Sequence, residues 1–289
     1  MDEARARDVL DAAGLPGPVA GAKLLALGEN AVFAIDELVV KVGRAAPELL
    51  DRARRELSVA TWLERAGVPA VRAAESAPLL VDGHPVTLWH RLPEAVRPAE
   101  PRDLASLIRR VHALESPSPS FELPRRELLG GVERWLRLAG DAIDPGDADY
   151  LRERRDGFAA AAAALTPRLA PGPIHGDALP RNVLVGPDGP VLVDLETFSS
   201  DLREHDLVVM ALSRDRYGLS PGAYDGFVST YGWDVREWDG CSVLRGARET
   251  ASCAWVAQHA PSSPKALAEF RRRVTSLRDG DAEVRWYPF

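Results

Sequence analysis

Residues 173–185 read Pro173-Ile174-His175-Gly176-Asp177-Ala178-Leu179-Pro180-Arg181-Asn182-Val183-Leu184-Val185, and Asp194 follows Asn182 by twelve residues inside Val191-Leu192-Val193-Asp194-Leu195-Glu196. Each acid or amide adjoins an apolar run, so strands fix the loop while the polar side chains point outward. Asp177 and Asn182 lie five apart on one loop, and Asp194 ends the returning strand, which carries its carboxylate back toward them. Carboxylate and amide oxygens suit Mg²⁺, a hard cation that shares its remaining positions with water and phosphate. Asp177 is then free to orient an incoming hydroxyl and accept its proton. A hairpin whose acids merely solvate a surface turn is the plain alternative, and five residues at this spacing make it a poor one.

The arrangement follows the logic of the H-R-D-x-x-x-x-N loop and D-F-G motif of protein kinases. Written here as H-G-D-x-x-x-x-N followed by D-L-E, it resembles the aminoglycoside phosphotransferase family and its relatives among small-molecule kinases. The resemblance implies a two-lobed, protein-kinase-like α+β fold and a strand lysine paired with a helical glutamate. Of 36 basic residues only Lys23, Lys41 and Lys265 are lysines, and Lys41 lies in the apolar run Leu38-Val39-Val40-Lys41-Val42. A lysine so placed acts as a compact point charge on phosphates. Glu56 lies fifteen residues on, and Leu49, Ala53, Ala60 and Leu63 stand at helical offsets from it, so it shares the apolar stripe. A carboxylate there is costly unless a cation meets it; a rim glutamate paired with Arg52 is the bland alternative.

The nucleotide loop matches less well. Gly28-Glu29-Asn30-Ala31 has a single glycine, and neither G-x-G-x-x-G nor a P-loop occurs. Gly28 and Asn30 remain the candidates to aim donors at phosphates. Val86 to Leu92 is similar to the strand and hinge that present backbone groups to adenine, which implicates Trp89 and His90, with inter-lobe packing as the other use of Trp89. Glu204-His205-Asp206-Leu207 resembles the motif whose Asp braces the catalytic loop. The resemblance runs from about residue 22 to 210.

Around this core the pattern predicts a helix over 3–13, strands over 23–27, 32–35 and 38–42, a helix over 47–66 and strands over 79–81 and 85–88. Helices follow over 102–114, 125–140 and 147–165, and after the hairpin over 204–213, 221–231, 242–259 and 264–279. Turns are expected at 14–18 and a loop at 116–120. The expected lobes are 1–91, a small antiparallel sheet with one main helix that binds nucleotide, and 92–289, mostly helical, carrying catalysis and the acceptor.

The 289 residues are 46% hydrophobic and 27% charged, ordinary for a globular chain. A net charge of −7 disfavours a general binder of nucleic acid or anionic membranes. Cys241 and Cys253 make neither a disulfide framework nor a zinc cluster, and no apolar stretch spans a bilayer, so a cytoplasmic protein is expected. Residues 175–206 hold seven acids against Arg181 and Arg203. That imbalance suggests a cationic acceptor such as an aminoglycoside-type antibiotic, with Asp201, Glu249 and Trp255 as pocket candidates. The donor would be ATP or GTP. A metabolite kinase for an amino alcohol or sugar, or a catalytically silent nucleotide-binding module, are the alternatives.

Overall fold

A computed structural model of the chain describes residues 1–15, 19–117 and 121–288. The expected turn at 14–18 and loop at 116–120 therefore lie partly outside the described residues. Helix α1 (Glu3–Ala12) begins at Asp2, whose side chain accepts from the Arg5 amide, satisfying an otherwise orphan donor. Strands β1 (Lys23–Leu27), β2 (Ala31–Ile35) and β3 (Leu38–Val42) form a meander, followed by α2 (Pro47–Arg65), β4 (Leu79–Val81) and β5 (His84–His90). The sheet order is β1-β2-β3-β5-β4, with antiparallel pairing throughout. Its inner face and the α1 residues Ala6, Val9 and Leu10 bury one apolar cluster with Phe33, Val40, Val42 and Val86.

The strand alternation of β3 places Val40 and Val42 in that cluster and turns Lys41 to the opposite face. Lys41 sits opposite Val32 on one side and Thr87 on the other, so the sheet fixes its position from both flanks. Helix α2 starts at Pro47, whose missing N–H costs nothing at that position, and stops before Gly67, which takes φ +68. Its buried face comprises Ala53, Glu56, Leu57, Val59, Ala60 and Leu63.

The remainder is helical apart from the hairpin. Helix α3 (Pro101–His112) packs against α7 (Pro221–Tyr231); α4 (Val132–Ala139), α5 (Pro145–Ala163) and α9 (Pro264–Arg278) surround α8 (Cys241–Ala257). Short pieces β6 (Gly172–Ile174), β7 (Val183–Gly186), β8 (Gly189–Leu192) and β9 (Ser199–Asp201) and helix α6 (Glu204–Arg216) complete the lobe. Three helices begin on the same signal, a side-chain cap followed by proline: Asp144-Pro145, Ser220-Pro221 and Ser263-Pro264. One expected helix is shorter than its pattern. The run 125–140 is helical only from Val132, because the Trp135 ring lies against Gly131 where a Cβ would stand. Residues 125–131 are left as a loop that carries Arg125 and Arg126 toward the hairpin.

Two apolar clusters hold this lobe. One joins α2, α3, α6 and α7 to the hairpin residues Val183, Val185, Leu192 and Leu195. The other joins α4, α5, α8 and α9 to Trp286, which the chain end brings back into the core. Cys241 and Cys253 are buried free thiols. No helix among the described residues is long and apolar enough to cross a membrane.

Candidate active site

The loop between β6 and β7 is held from beneath by Asp206. Its two carboxylate oxygens accept from the backbone amides of His175 (2.7 Å) and Gly176 (2.8 Å), and His112 Nε2 stands 3.1 Å away. Asp206 is fully buried. Burial opposes its charge, but hydrogen bonding and attraction from His112, with help from His175, outweigh it and push its carboxyl down to about 2. The sequence motif thus delivers a brace.

Gly176 is required where it stands. Its φ is +84, and a Cβ there would press into the Thr197 carbonyl on the neighbouring turn. Left-handed strain and the clash add, so Gly176→Ala should cost roughly 2–4 kcal/mol, read as a lower denaturation midpoint. An unchanged midpoint would show that the loop can relax.

The brace aims Asp177 into the cleft. Its Oδ2 accepts from Arg181 Nη2 (2.8 Å) and Asn182 Nδ2 (3.1 Å), and Arg248 Nη2 lies 4.0 Å from Oδ1. Burial works against ionisation, but Arg248 and Arg181 outweigh it and keep this carboxyl below the usual range. Asn182 also donates to the Asp177 carbonyl at 2.8 Å, which leaves its own amide oxygen available. Asp194 follows β8 in a left-handed conformation, φ +59, one of three such non-glycine residues among those described. Burial, Glu196 and Asp177 raise its pKa, with Lys41 and His175 offsetting only part.

Lys41 Nζ lies 3.1 Å from both oxygens of Glu56 and 2.9 Å from Glu196 Oε2. Burial opposes the ammonium, yet Glu56 and Glu196 together hold its pKa above the ordinary lysine range. One cation between two carboxylates leaves Glu56 raised, through its burial and the like charge of Glu196, while Glu196 is lowered. Asp194 acts electrostatically on Lys41, and Asp177 acts on Asp194. A cavity of about 350 Å³ opens on the Lys41 side, with Asn30, Arg52, Glu56, Arg134 and Glu196 among its walls. Asp177, Asn182 and Asp194 lie outside that lining.

Glu196 is the residue that sequence reasoning passed over. It stands in the quoted D-L-E, two positions after Asp194, but nothing in the chain pattern names its partner. In the fold it ties Lys41 to the hairpin and also meets Asn30 Nδ2 at 3.4 Å. Gly28 closes its turn by donating to the Asn30 carbonyl at 2.9 Å.

Other candidates are placed differently. Trp89 is buried in the main core and its Nε1 donates to Thr87 Oγ1 (2.9 Å). The His90 amide donates to the Arg72 carbonyl and the Leu88 carbonyl accepts from Ala74, both at 2.9 Å, so residues 72–74 cover that edge of β5. These bonds take up the His90 N–H and the Leu88 carbonyl. Among the described residues, the backbone over 92–95 carries no such bonds. Glu249 is buried against Arg216 Nε at 2.7 Å, tying α8 to α6. Trp255 packs on the α4–α5–α9 cluster with its ring 5.0 Å from that of His259. Asp201 stays near the site but is paired with Arg125 Nε at 3.4 Å.

The acidity of 175–206 is also mostly spent internally. Asp206 and Glu204 accept from backbone amides, Glu196 meets Lys41, Asp201 meets Arg125, and Asp188 sits at the exposed hairpin tip. The charge imbalance in the sequence does not become an acidic wall around Asp177.

A divalent cation fits the donor set. Among the described residues no three His, Cys, Asp or Glu side chains group closely enough to hold a metal alone. Asp194, raised by burial and by the carboxylates of Glu196 and Asp177, and Asn182, whose backbone carbonyl accepts from Val193, supply oxygens of the type that suits an ion completed by phosphate and water.

The model of the family described as "Phosphotransferase enzyme family" matches residues 21–244. No curated protein matches the chain. Among solved structures, an amicoumacin kinase in complex with AMP-PNP, Ca²⁺ and Ami superposes with a TM-score of 0.72 at 14% identity, covering 99% of this chain and 98% of that one. A choline/ethanolamine kinase family protein from Mesorhizobium loti gives 0.60 at 20% identity over 97% and 100%. An aminoglycoside-3'-phosphotransferase of type VIII gives 0.60 at 19% identity over 84% and 98%. Likenesses at these identities establish the two-lobed kinase-like α+β fold.

Proposed function

Because the chain belongs to the phosphotransferase enzyme family, we propose that it moves the γ-phosphoryl group of a nucleoside triphosphate, ATP or GTP, to a hydroxyl of a small molecule. The observation that carries this reading is that Glu196, two residues after Asp194, ties Lys41 of the sheet to the hairpin at 2.9 Å, while Asn182 holds Asp177 at 3.1 Å on the same hairpin. In this reading Asp177, kept ionised by Arg248 and Arg181, orients the acceptor hydroxyl and takes its proton. Lys41, positioned by Glu56, grips phosphate oxygens. Asn30 borders the same cavity, and Gly28 closes the turn that carries it. Asn182 and Asp194 would hold Mg²⁺, which supplies charge neutralisation to the triphosphate when bound. The protein's own contribution is placement of the two reactants and a fixed electrostatic setting.

The division into lobes belongs to the same proposal: residues 1–91 bind nucleotide and 92–289 carry catalysis and the acceptor. A metabolite kinase is retained beside an antibiotic kinase, since pairing of the acids over 175–206 leaves their count favouring neither acceptor.

The test is ADP release from MgATP and MgGTP across a panel of small hydroxyl compounds. Acceptor-dependent release is expected; nucleotide binding with no acceptor-dependent release from any panel would favour the silent module. Lys41→Met should weaken nucleotide binding about 10- to 100-fold, the worth of a charged hydrogen bond, in a calorimetric titration. Equal affinity in that variant, with circular dichroism confirming the fold, would remove Lys41 from the phosphate site.

A further inference from the structure

The far side of Asp177 is built from arginine. Arg248, near the middle of α8, donates through Nη2 to the Gly176 carbonyl at 3.1 Å and has a side chain only 12% exposed. Its Nε is buried with no hydrogen-bond partner among the described residues. Arg126 approaches the same loop from 125–131; its Nη1 would lie 3.3 Å from a Cβ on Gly176. No ion pair within 4 Å ties Arg126 down among the described residues. Arg181 occupies the remaining face of Asp177.

Two guanidiniums that are largely out of water and repel one another are costly unless an anion joins them. Burial and the nearby Arg126 bring the Arg248 pKa down to about 10, and burial lowers Arg126 despite attraction from Asp177, Asp206 and Asp201. Their acidic neighbours are committed elsewhere: Asp206 to the loop backbone and His112, Asp201 to Arg125 and the Leu202 amide. His205, between them, is kept neutral, with a pKa of about 4, by burial with help from Arg248 and Arg126 against the pull of Asp201. Asp177 is the acid that faces them, and it is already shared with Arg181 and Asn182, so the surroundings hold more cation than anion.

Resting on the reading of Asp177 as the group that receives the acceptor hydroxyl, we propose that the acceptor carries an oxyanion, a carboxylate or a phosphate, within a few atoms of that hydroxyl, and that Arg248 and Arg126 bind it. A hydroxyl brought to Asp177 carries its nearest substituents into reach of both guanidiniums. An ammonium there meets like charge. An oxyanion takes up unused donors on Arg248 and Arg126, and planar forks of this kind match carboxylate and phosphate geometry.

Four probes that share one three-carbon hydroxyl frame separate the possibilities: glycerate, glycerol phosphate, glycerol and serinol, which differ in charge. Each is titrated calorimetrically into the full chain saturated with AMP-PNP and Mg²⁺. Glycerate or glycerol phosphate should bind, and whichever binds more tightly says which oxyanion the site prefers. Arg248→Met should weaken that binding about tenfold or more, as expected for a charged hydrogen bond. Arg126→Met, on a loop and easier to accommodate, should weaken it in the same direction. Tighter binding of serinol, equal binding of all four, no binding by any, or indifference to both substitutions overturns the proposal. Asp177→Asn should keep the oxyanion and abolish transfer. Failure to bind AMP-PNP would instead count against the phosphotransfer reading and leave the anion result standing.

Discussion

Asp177→Asn will lower turnover about 10³-fold, the usual loss when a positioned general base is removed, and leave nucleotide affinity within a few-fold of the parent. Amide for carboxylate preserves size and the contact with Asn182, but it cannot take a proton and no longer balances Arg181 and Arg248. A thousandfold loss corresponds to about 4 kcal/mol of transition-state stabilisation. The cavity beside Lys41 does not include Asp177, which is why binding and turnover should separate. Steady-state ADP release and calorimetry on the same preparation measure both. Near-parental turnover would take Asp177 out of the chemistry.

The second large effect is on stability. Asp206→Ala strands the amides of His175 and Gly176 and leaves His112 without its carboxylate, all in the interior. The expected cost is about 3–5 kcal/mol, which for a chain of this size lowers Tm by roughly 10 °C. Acid titration of the parent protein carries the same signature. Asp206 has a folded pKa near 2, below its unfolded value, so the native state binds fewer protons. Its contribution is complete above about pH 5 and is lost as pH falls from about 4 toward 2, amounting to roughly 2–3 kcal/mol. His205, depressed from 6.5 to about 4, has the same sign at higher pH: the unfolded chain protonates first, so stability falls as pH drops from 6.5 toward 4. Denaturant midpoints from pH 7 to 2 should show both losses, and His205→Asn should remove the upper one alone. A flat profile from pH 7 to 2 would mean that neither group differs between the folded and unfolded chain.

The catalytic loop, the lysine strand and the α2 glutamate were readable in the chain because each couples a polar residue to a local period. Lys41 sits in an alternating strand, Glu56 on a 3.6-residue stripe, and Asp177 and Asn182 flank a short turn. What escaped was set by tertiary contact. Glu196 needs Lys41 155 positions away, and Arg248 reaches Asp177 from a helix whose pattern shows only amphipathicity. In a chain so rich in arginine, no single one stands out. Glu249 and Trp255 share that helix, but the pattern could not tell which face met the cleft and which met α6 or α9. Trp89 fits an adenine hinge by the position of its strand, while its pairing with 72–74 is visible only in three dimensions.

The clasp on Lys41 bears on how the protein lives among free anions. A bare, desolvated ammonium would be occupied by whatever inorganic phosphate or sulfate the surroundings contain. With Glu196 already 2.9 Å from it, a visiting anion can only trade places with a carboxylate of the same sign and gains little from charge alone. Discrimination between a nucleotide and loose phosphate therefore falls to the rest of the ligand, its sugar and base, which no simple ion can imitate.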